Sequence, residues 1–368
     1  MRRGGRVLWT LNAVDALWLI GGRLIAPRGI IDGAVRVANG KIAGIASRAP
    51  RGVKVIKLHG SYLVPGFIDL HVWGDPPTLS RELVKQGTTA FLAALAPAPR
   101  ATLLAQLEMI ERSRDLDGAR CLGAHLEGPF LSREQAGALP RRWMRAATRA
   151  ELRVLAETGR VRLMTMAPEL RGTRELIRWC RRRRIVASLG HSAADAEVAR
   201  RAVDAGATAV THVFNGMRPL HHRHPSLVDV ALTDPRLTTM VILDGIHVSP
   251  SAFRLLVRAK GPGRIALVTD SIAQSGWDVV KRRGAYYQRN GTLAGSALTM
   301  MSAVRNAVEL GGAPLAEAVR MATEVPARLL GDRSRGALAV GRRADLVVFD
   351  TKFRVVLTIV GGRLVYQR

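Results

Sequence analysis

The hydrophobic pattern changes character twice along the chain. From Trp18 to about Lys57, short apolar runs (Leu19-Ile20, Leu24-Ile25, Ala34-Val35-Arg36-Val37, Lys41 to Ile45) are separated by glycine-rich turns, which predicts strands and hairpins. The same texture returns in Ala344 to Phe349, Val355 to Val360 and Arg363 to Tyr366, around Gly361-Gly362, so the two ends are expected to share one sheet. Between them, wholly apolar runs alternate with helix-like segments: Thr89 to Leu92, Ala119 to Leu126, Arg162 to Met166, Ile185 to Leu189, Ala209 to Thr211, Thr239 to Leu243 and Ile265 to Thr269. Strands that are apolar throughout need cover on both faces, which is the condition of a parallel sheet wrapped by helices. About eight such units in the middle of the chain predict an α/β fold, a (β/α)8 TIM-like barrel, with a small β-sandwich built from both chain ends. The expected boundaries are 1–61 and 336–368 for the sandwich and 62–335 for the barrel.

Composition narrows the class. Of 368 residues, 48% are hydrophobic and 23% charged, values of a folded globular chain. Cys121 and Cys180 are too few for a disulfide framework; they fit a reducing compartment and read as small buried hydrophobes. The start, Met1-Arg2-Arg3 followed by an apolar stretch, imitates a signal peptide, but Asn12 and Asp15 interrupt it and no small-residue cleavage site follows. Uninterrupted apolar stretches long enough to span a bilayer are absent as well, so no membrane partner is expected and the cytoplasm is the expected address.

The net charge of +27, carried by arginine far more than lysine, favours an anionic partner. The arginines are scattered, and the densest run, Arg181 to Arg184, has only Trp179 beside it. It follows a helix-like segment, where cations suit the C-terminus. With no nucleic-acid recognition signature, the charge is read as favouring a small anionic substrate over nucleic acid.

Six apolar runs end on chemistry-bearing residues: Pro65 to His71, His125-Leu126-Glu127 with Gly128 to Leu131 behind it, Ser188-Leu189-Gly190-His191-Ser192, Val210 to Asn215, Asp244-Gly245-Ile246-His247, and Leu267-Val268-Thr269-Asp270. One histidine at a strand end means little; six such ends in series mean a site, because in this fold the chemistry gathers at the C-terminal ends of the strands. Glu127, His191 and His212 around one mouth make a carboxylate and two imidazoles, the donor set of a catalytic divalent metal. Such an ion acidifies water to a pKa of about 7, and Asp270 is the carboxylate placed to take and return its proton.

These motifs resemble the amidohydrolase superfamily and, within it, the N-acetylglucosamine-6-phosphate deacetylases. The stretches that carry the closer resemblance are His125 to Leu131, Gly190-His191-Ser192, Thr211 to Leu220, Asp244 to His247, Val268-Thr269-Asp270 and Leu293-Ala294-Gly295-Ser296. The resemblance implies one divalent ion per subunit on Glu127, His191 and His212, zinc first, with iron, cobalt or manganese as the other fits. It implies Asp270 as catalytic acid and base, and Asn215, Gly216, Arg223 and His247 as holders of a phosphorylated amino sugar. Arg223 is expected to reach the neighbouring site of a homodimer. The implied activity is removal of the acetyl group from N-acetylglucosamine 6-phosphate. The alternatives are a related amidohydrolase on another N-acyl amino sugar or a cyclic amide, and a catalytically impaired sugar-phosphate-binding homologue.

Three positions depart from the family pattern. Trp73 stands where many members have the second histidine of an H-x-H pair, which argues for one metal and leaves His71 a spectator; Trp73 reads as packing or as a platform for a sugar. Leu139 stands at a substrate-facing position where many members place a histidine that polarises the scissile carbonyl. His125, His221, His222 and His224 are the candidate replacements. His224 follows Arg223 where the family usually has glutamate.

Overall fold

A computed structural model of the chain describes residues 16–26, 29–113, 116–146, 148–157 and 160–368. The N-terminal stretch that imitates a signal peptide lies outside the described residues.

The eight barrel strands are Phe67–Gly74, Thr88–Leu95, Arg120–Glu127, Val161–Met166, Val186–Leu189, Ala209–Val210, Thr238–Val241 and Ile265–Leu267. Each pairs in parallel with the next. Their burial explains the unbroken apolar runs: every residue of the second strand is buried, as is all of the first except Gly74. Closure falls to the run that follows the eighth strand. The Val268 N–H donates to the Val241 carbonyl at 3.1 Å, and the Asp270 N–H donates to the His71 carbonyl at 2.8 Å. The chain then continues as Ser271–Gln274, paired in parallel with the first strand. The bend that closes the ring therefore carries Asp270.

Local signals set the helices between strands. Asp195 accepts from the Val198 N–H to start Ala196–Ala205, and Gly206 ends it in the left-handed region; Ser249 caps Pro250–Lys260, with Pro250 in the first turn. Both follow from the need to satisfy end groups that the helix cannot pair internally. Arg181 and Arg182 lie in the last turn of Thr173–Arg182. Arg181 to Arg184 are all exposed, with the Arg183 guanidinium 5.0 Å from the centre of the Trp179 ring.

The two chain ends form one sheet. Its order is Arg363–Gln367, Val355–Val360, Leu346–Phe349, Tyr62–Pro65, Leu17–Ala26, Gly29–Ala38 and Lys41–Ala46, with Val55–Lys57 also paired to Leu17–Ala26. The ends meet where Leu346–Phe349 runs antiparallel to Tyr62–Pro65. Leu19, Leu24, Val35, Ile42 and Leu63 from the early strands share a buried core with Leu346, Val348, Leu357 and Ile359 from the late ones. Neither end could cover these side chains alone, so the sheet needs both. Thr358 Oγ1 donates to the Val84 carbonyl at 2.7 Å, tying the sheet to the helical turn Val84–Gln86 that precedes the second barrel strand. No helix among the described residues is long and apolar enough to cross a membrane.

Candidate active site

Side chains two apart on a strand share a face, so Asp69, His71 and Trp73 of the first strand project together, as do His125 and Glu127 of the third. This alternation stacks two layers of polar groups inside the barrel.

The lower layer is closed on itself. His125 Nδ1 donates to the Leu70 carbonyl at 3.0 Å, which leaves Nε2 as the acceptor for Thr165 Oγ1 at 2.7 Å. Thr165 Oγ1 is then the acceptor for Thr211 Oγ1 at 2.7 Å, and Thr211 for Ser188 Oγ at 2.6 Å. One carbonyl thus sets the direction of the whole relay. Burial, reinforced by His71, holds His125 well below the usual imidazole value, in keeping with a neutral ring that donates from one nitrogen and accepts on the other. Asp69 accepts from Thr269 Oγ1 at 2.6 Å and from the His71 N–H at 3.1 Å; burial outweighs these bonds and raises its carboxyl to about 6.

The upper layer is open. Glu127 Oε1 lies 3.1 Å from His191 Nε2 and 2.8 Å from His212 Nε2. His191 Nδ1 donates to the Gln135 carbonyl at 2.7 Å, which turns its Nε2 inward toward Glu127. Nδ1 of His212 and both nitrogens of His71 are buried without a hydrogen-bond partner. Burial favours neutral rings, but the carboxylates oppose it: Glu127 raises His191, and Glu127 with Asp270 holds His71 up at about 9. Glu127 itself is held well below the carboxylate range against its burial, first by His71 and then by hydrogen bonds from His191 and His212. His71 Nε2 sits 3.3 Å from Glu127 Oε2 and 3.4 Å from Asp270 Oδ1.

One ligand atom from each of Glu127, His191 and His212 lies within 4.8 Å of the other two, and all three residues are buried. Two imidazole nitrogens and a carboxylate oxygen converging in a buried pocket fit a divalent cation, because buried charge of this kind needs a counter-ion or coordination. The outer partner on His191, a backbone carbonyl, is of the kind that orients a ligating ring. Backbone strain accompanies the site: His191, His212, Phe214 and Asp270 have φ of 45°, 31°, 79° and 49°. Such conformations cost energy and persist where the surroundings fix them.

A cavity of about 240 Å3 opens over this layer, lined by the polar Glu127, His191, His212 and Asp270 and by the largely apolar Trp73, Leu139, Trp277 and Ala294. Asn215, Gly216 and His247 line it too. Gly216 has φ of 60°, and a Cβ there would sit 2.9 Å from His191 Nδ1, so the close approach requires glycine. His247 Nδ1 is 2.6 Å from Asp244 Oδ2, and Asp244 Oδ1 also accepts from the backbone of Ile246 and His247.

The structure thus brings together Glu127, His191, His212, Asp270, Asn215, Gly216, His247 and Leu139. Arg223 is exposed and does not line the cavity of its own chain. The proposed replacements for the missing donor at Leu139 do not line the cavity either. His125 is committed to the lower layer; His221, His222 and His224 stack on one another in an exposed loop.

Leu293–Ser296 is a strand, antiparallel to Ala285–Tyr287, and its Leu293, Ala294 and Gly295 line the cavity. A Cβ at Gly295 would meet Ile272 at 2.7 Å and the Asp270 carbonyl at 3.0 Å. His71, a spectator by the sequence pattern, sits against Glu127 and Asp270, and its spacing of two from Asp69 is the signal that it faces inward. Trp73 does more than pack: its Nε1–H donates to Asp270 Oδ1 at 2.7 Å. The Gln135 carbonyl and Trp277 carry no motif that marks them beforehand.

Residues 62–365 match the amidohydrolase family. The chain is 36% identical to N-acetylgalactosamine-6-phosphate deacetylase of Escherichia coli O157:H7, over 93% of this chain and 97% of that one. It is 35% identical to N-acetylglucosamine-6-phosphate deacetylase of Vibrio furnissii, over 89% of each. Among solved structures, a mutant N-acetyl-D-glucosamine-6-phosphate deacetylase of Mycobacterium smegmatis, in complex with N-acetyl-D-glucosamine-6-phosphate, is 32% identical with a TM-score of 0.87, covering 97% of this chain and 100% of that one.

Proposed function

This chain belongs to the amidohydrolase family, and from that premise we propose that it hydrolyses the acetamido group of N-acetylglucosamine 6-phosphate to acetate and glucosamine 6-phosphate. The observation that carries the reading is the convergence of Glu127, His191, His212 and Asp270 on one cavity beside Asn215, Gly216 and His247.

Glu127, His191 and His212 would hold one divalent ion, which when bound supplies Lewis-acid polarisation and acidifies water. The chain's own residues do the rest. The free Oδ2 of Asp270 takes a proton from water as the water oxygen bonds to the acetamido carbon. Asp270 returns that proton to the nitrogen as the C–N bond breaks, so it serves as base and then as acid. Leu139, Trp277 and Ala294 give the acetyl methyl an apolar wall and exclude water from it. Asn215, the Gly216 backbone and His247 hold the sugar. The phosphate is taken by Arg223 of a neighbouring subunit in a homodimer, since a guanidinium offers paired donors to a dianion. A fully active monomer overturns that last assignment.

A relative named for the galactosamine epimer, together with Leu139 and His224, keeps another N-acyl amino sugar as the second reading. The test is acetate release by metal-reconstituted protein from N-acetylglucosamine 6-phosphate, its galactosamine epimer and both unphosphorylated sugars, with Glu127→Ala as blank. Release that prefers the phosphorylated glucosamine substrate and vanishes in the blank is expected. Preference for another sugar moves the assignment to it, and no release from any of them by folded, metal-loaded protein refutes deacetylation.

A further inference from the structure

We propose that Trp73 is a positioning residue for Asp270: its indole N–H fixes one carboxylate oxygen so that the other faces the substrate as proton acceptor. The inference deepens the deacetylase reading and takes its reaction from it.

Asp270 leaves the eighth strand in a left-handed conformation, φ 49°, on the bend that closes the barrel. Its Oδ1 accepts from Trp73 Nε1 at 2.7 Å. The same oxygen lies 3.4 Å from His71 Nε2, without a hydrogen bond between them. Among the described residues no donor reaches Oδ2, and Asp270 lines the cavity. The indole bond therefore decides which oxygen is spent on the protein and which is presented to the reaction. Loss of that bond frees the carboxylate to rotate, and misorientation of a reacting group lowers the rate of a step whose advantage is proximity.

Trp73 is itself held. It is 5% exposed, and its ring centre lies 4.8 Å from that of Trp277 at a tilt of 50°. It belongs to a buried cluster with Leu131, Ala136, Leu139, Met144 and Ile272. Two departures from the family pattern, Trp73 and Leu139, thus belong to one buried hydrophobic cluster. An indole N–H is a permanent donor that neither accepts nor titrates, so it orients Asp270 in the same way at every working pH, which an imidazole at this position would not do.

The experiment separates this bond from the deacetylase reading. In protein labelled with 15N-tryptophan, the Trp73 indole resonance, identified by its absence in Trp73→Phe, is expected downfield and is expected to move upfield in Asp270→Ala. In Trp73→Phe, and with 3-benzothienylalanine at position 73, which keeps the ring shape and removes only the N–H, kcat should fall about tenfold or more. KM should stay within about twofold, the signature of an interaction used in the transition state, and metal content should be unchanged. Wild-type kcat in folded Trp73→Phe, a fall that only tracks metal loss, or an indole resonance indifferent to Asp270→Ala overturns the proposal. Should the wild type release no acetate from any sugar, the deacetylase reading fails while the resonance still decides whether Trp73 holds Asp270.

Discussion

The two polar layers inside the barrel draw on similar residues of the same strands and of the runs that follow them, yet they behave in opposite ways. His71 and His125 are neighbours, ring centres 4.3 Å apart, and both are fully buried. His125 has a partner on each nitrogen, whereas His71 has a hydrogen-bond partner on neither. A buried polar network that is fully satisfied rigidifies the interior, and one left partly open is costly. The lower layer is the saturated floor that fixes strand register and ring orientation. The upper layer keeps unpaired nitrogens and strained backbone, features that mark a surface made to bind rather than to support. Burial alone does not distinguish the two; the accounting of donors and acceptors does.

The sharpest way to break this comparison is to remove the hub of the upper layer. Glu127→Gln should abolish metal binding and lower kcat/KM by about a thousandfold or more, while the denaturation midpoint of the metal-free protein changes little; metal analysis and urea titration read the two separately. Asp270→Asn should cost about a hundredfold or more in kcat, in the range for loss of a general acid and base, with the metal content of the wild type. If Asp270→Asn turns over like the wild type, the upper layer's role in proton transfer is refuted.

The lower layer predicts the reverse pattern. Thr211→Val cuts the relay between Ser188 and Thr165 and should destabilise the fold by about 1–3 kcal/mol, measured in urea, with a smaller effect on kcat than either upper-layer change. A Thr211→Val protein of unchanged stability and lost activity would mean that the floor takes part in chemistry.

The smallest effect is expected at the saturated pair on the cavity rim. Burial pushes the Asp244 carboxyl up, but the hydrogen bond and charge of His247 and the backbone donors hold it below its ordinary value of 3.8. A depressed carboxyl contributes stability that is present above 3.8 and is lost as pH falls through its folded value. Asp244→Asn should therefore flatten the acid limb of the stability curve, by about 1 kcal/mol or less, and leave the curve above pH 5 parallel to that of the wild type.

Much of this architecture was legible in the chain. Unbroken apolar runs give away the parallel strands because both their faces are covered, and Glu127, His191, His212 and Asp270 stand out as the chemistry-bearing ends of those runs. The exact strand ends were less legible: Thr239 to Leu243 reads as one apolar run, but pairing stops at Val241, since an apolar residue can be buried beyond the last ladder bond. Leu293 to Ser296 reads equally as a glycine-kinked turn or a substrate-facing loop; it lines the cavity and is a strand, because its partner Ala285–Tyr287 is supplied from elsewhere in the loop. The four histidines offered in place of Leu139 show the same limit. Residue type marked them as donors, but His125 points into the floor and the other three remain in an exposed loop.

What the sequence by itself determined is whatever rests on local period: alternation within a strand, the succession of strand and helix, and the placing of reactive residues at strand ends. What only the tertiary structure decided is which of those residues meet. His71 and Trp73 stand nearly two hundred positions before Asp270 and become its neighbours because the bend after the eighth strand closes the ring against the first. The hydrogen bond of 2.7 Å between Trp73 and Asp270 depends on that closure, and no local pattern encodes it.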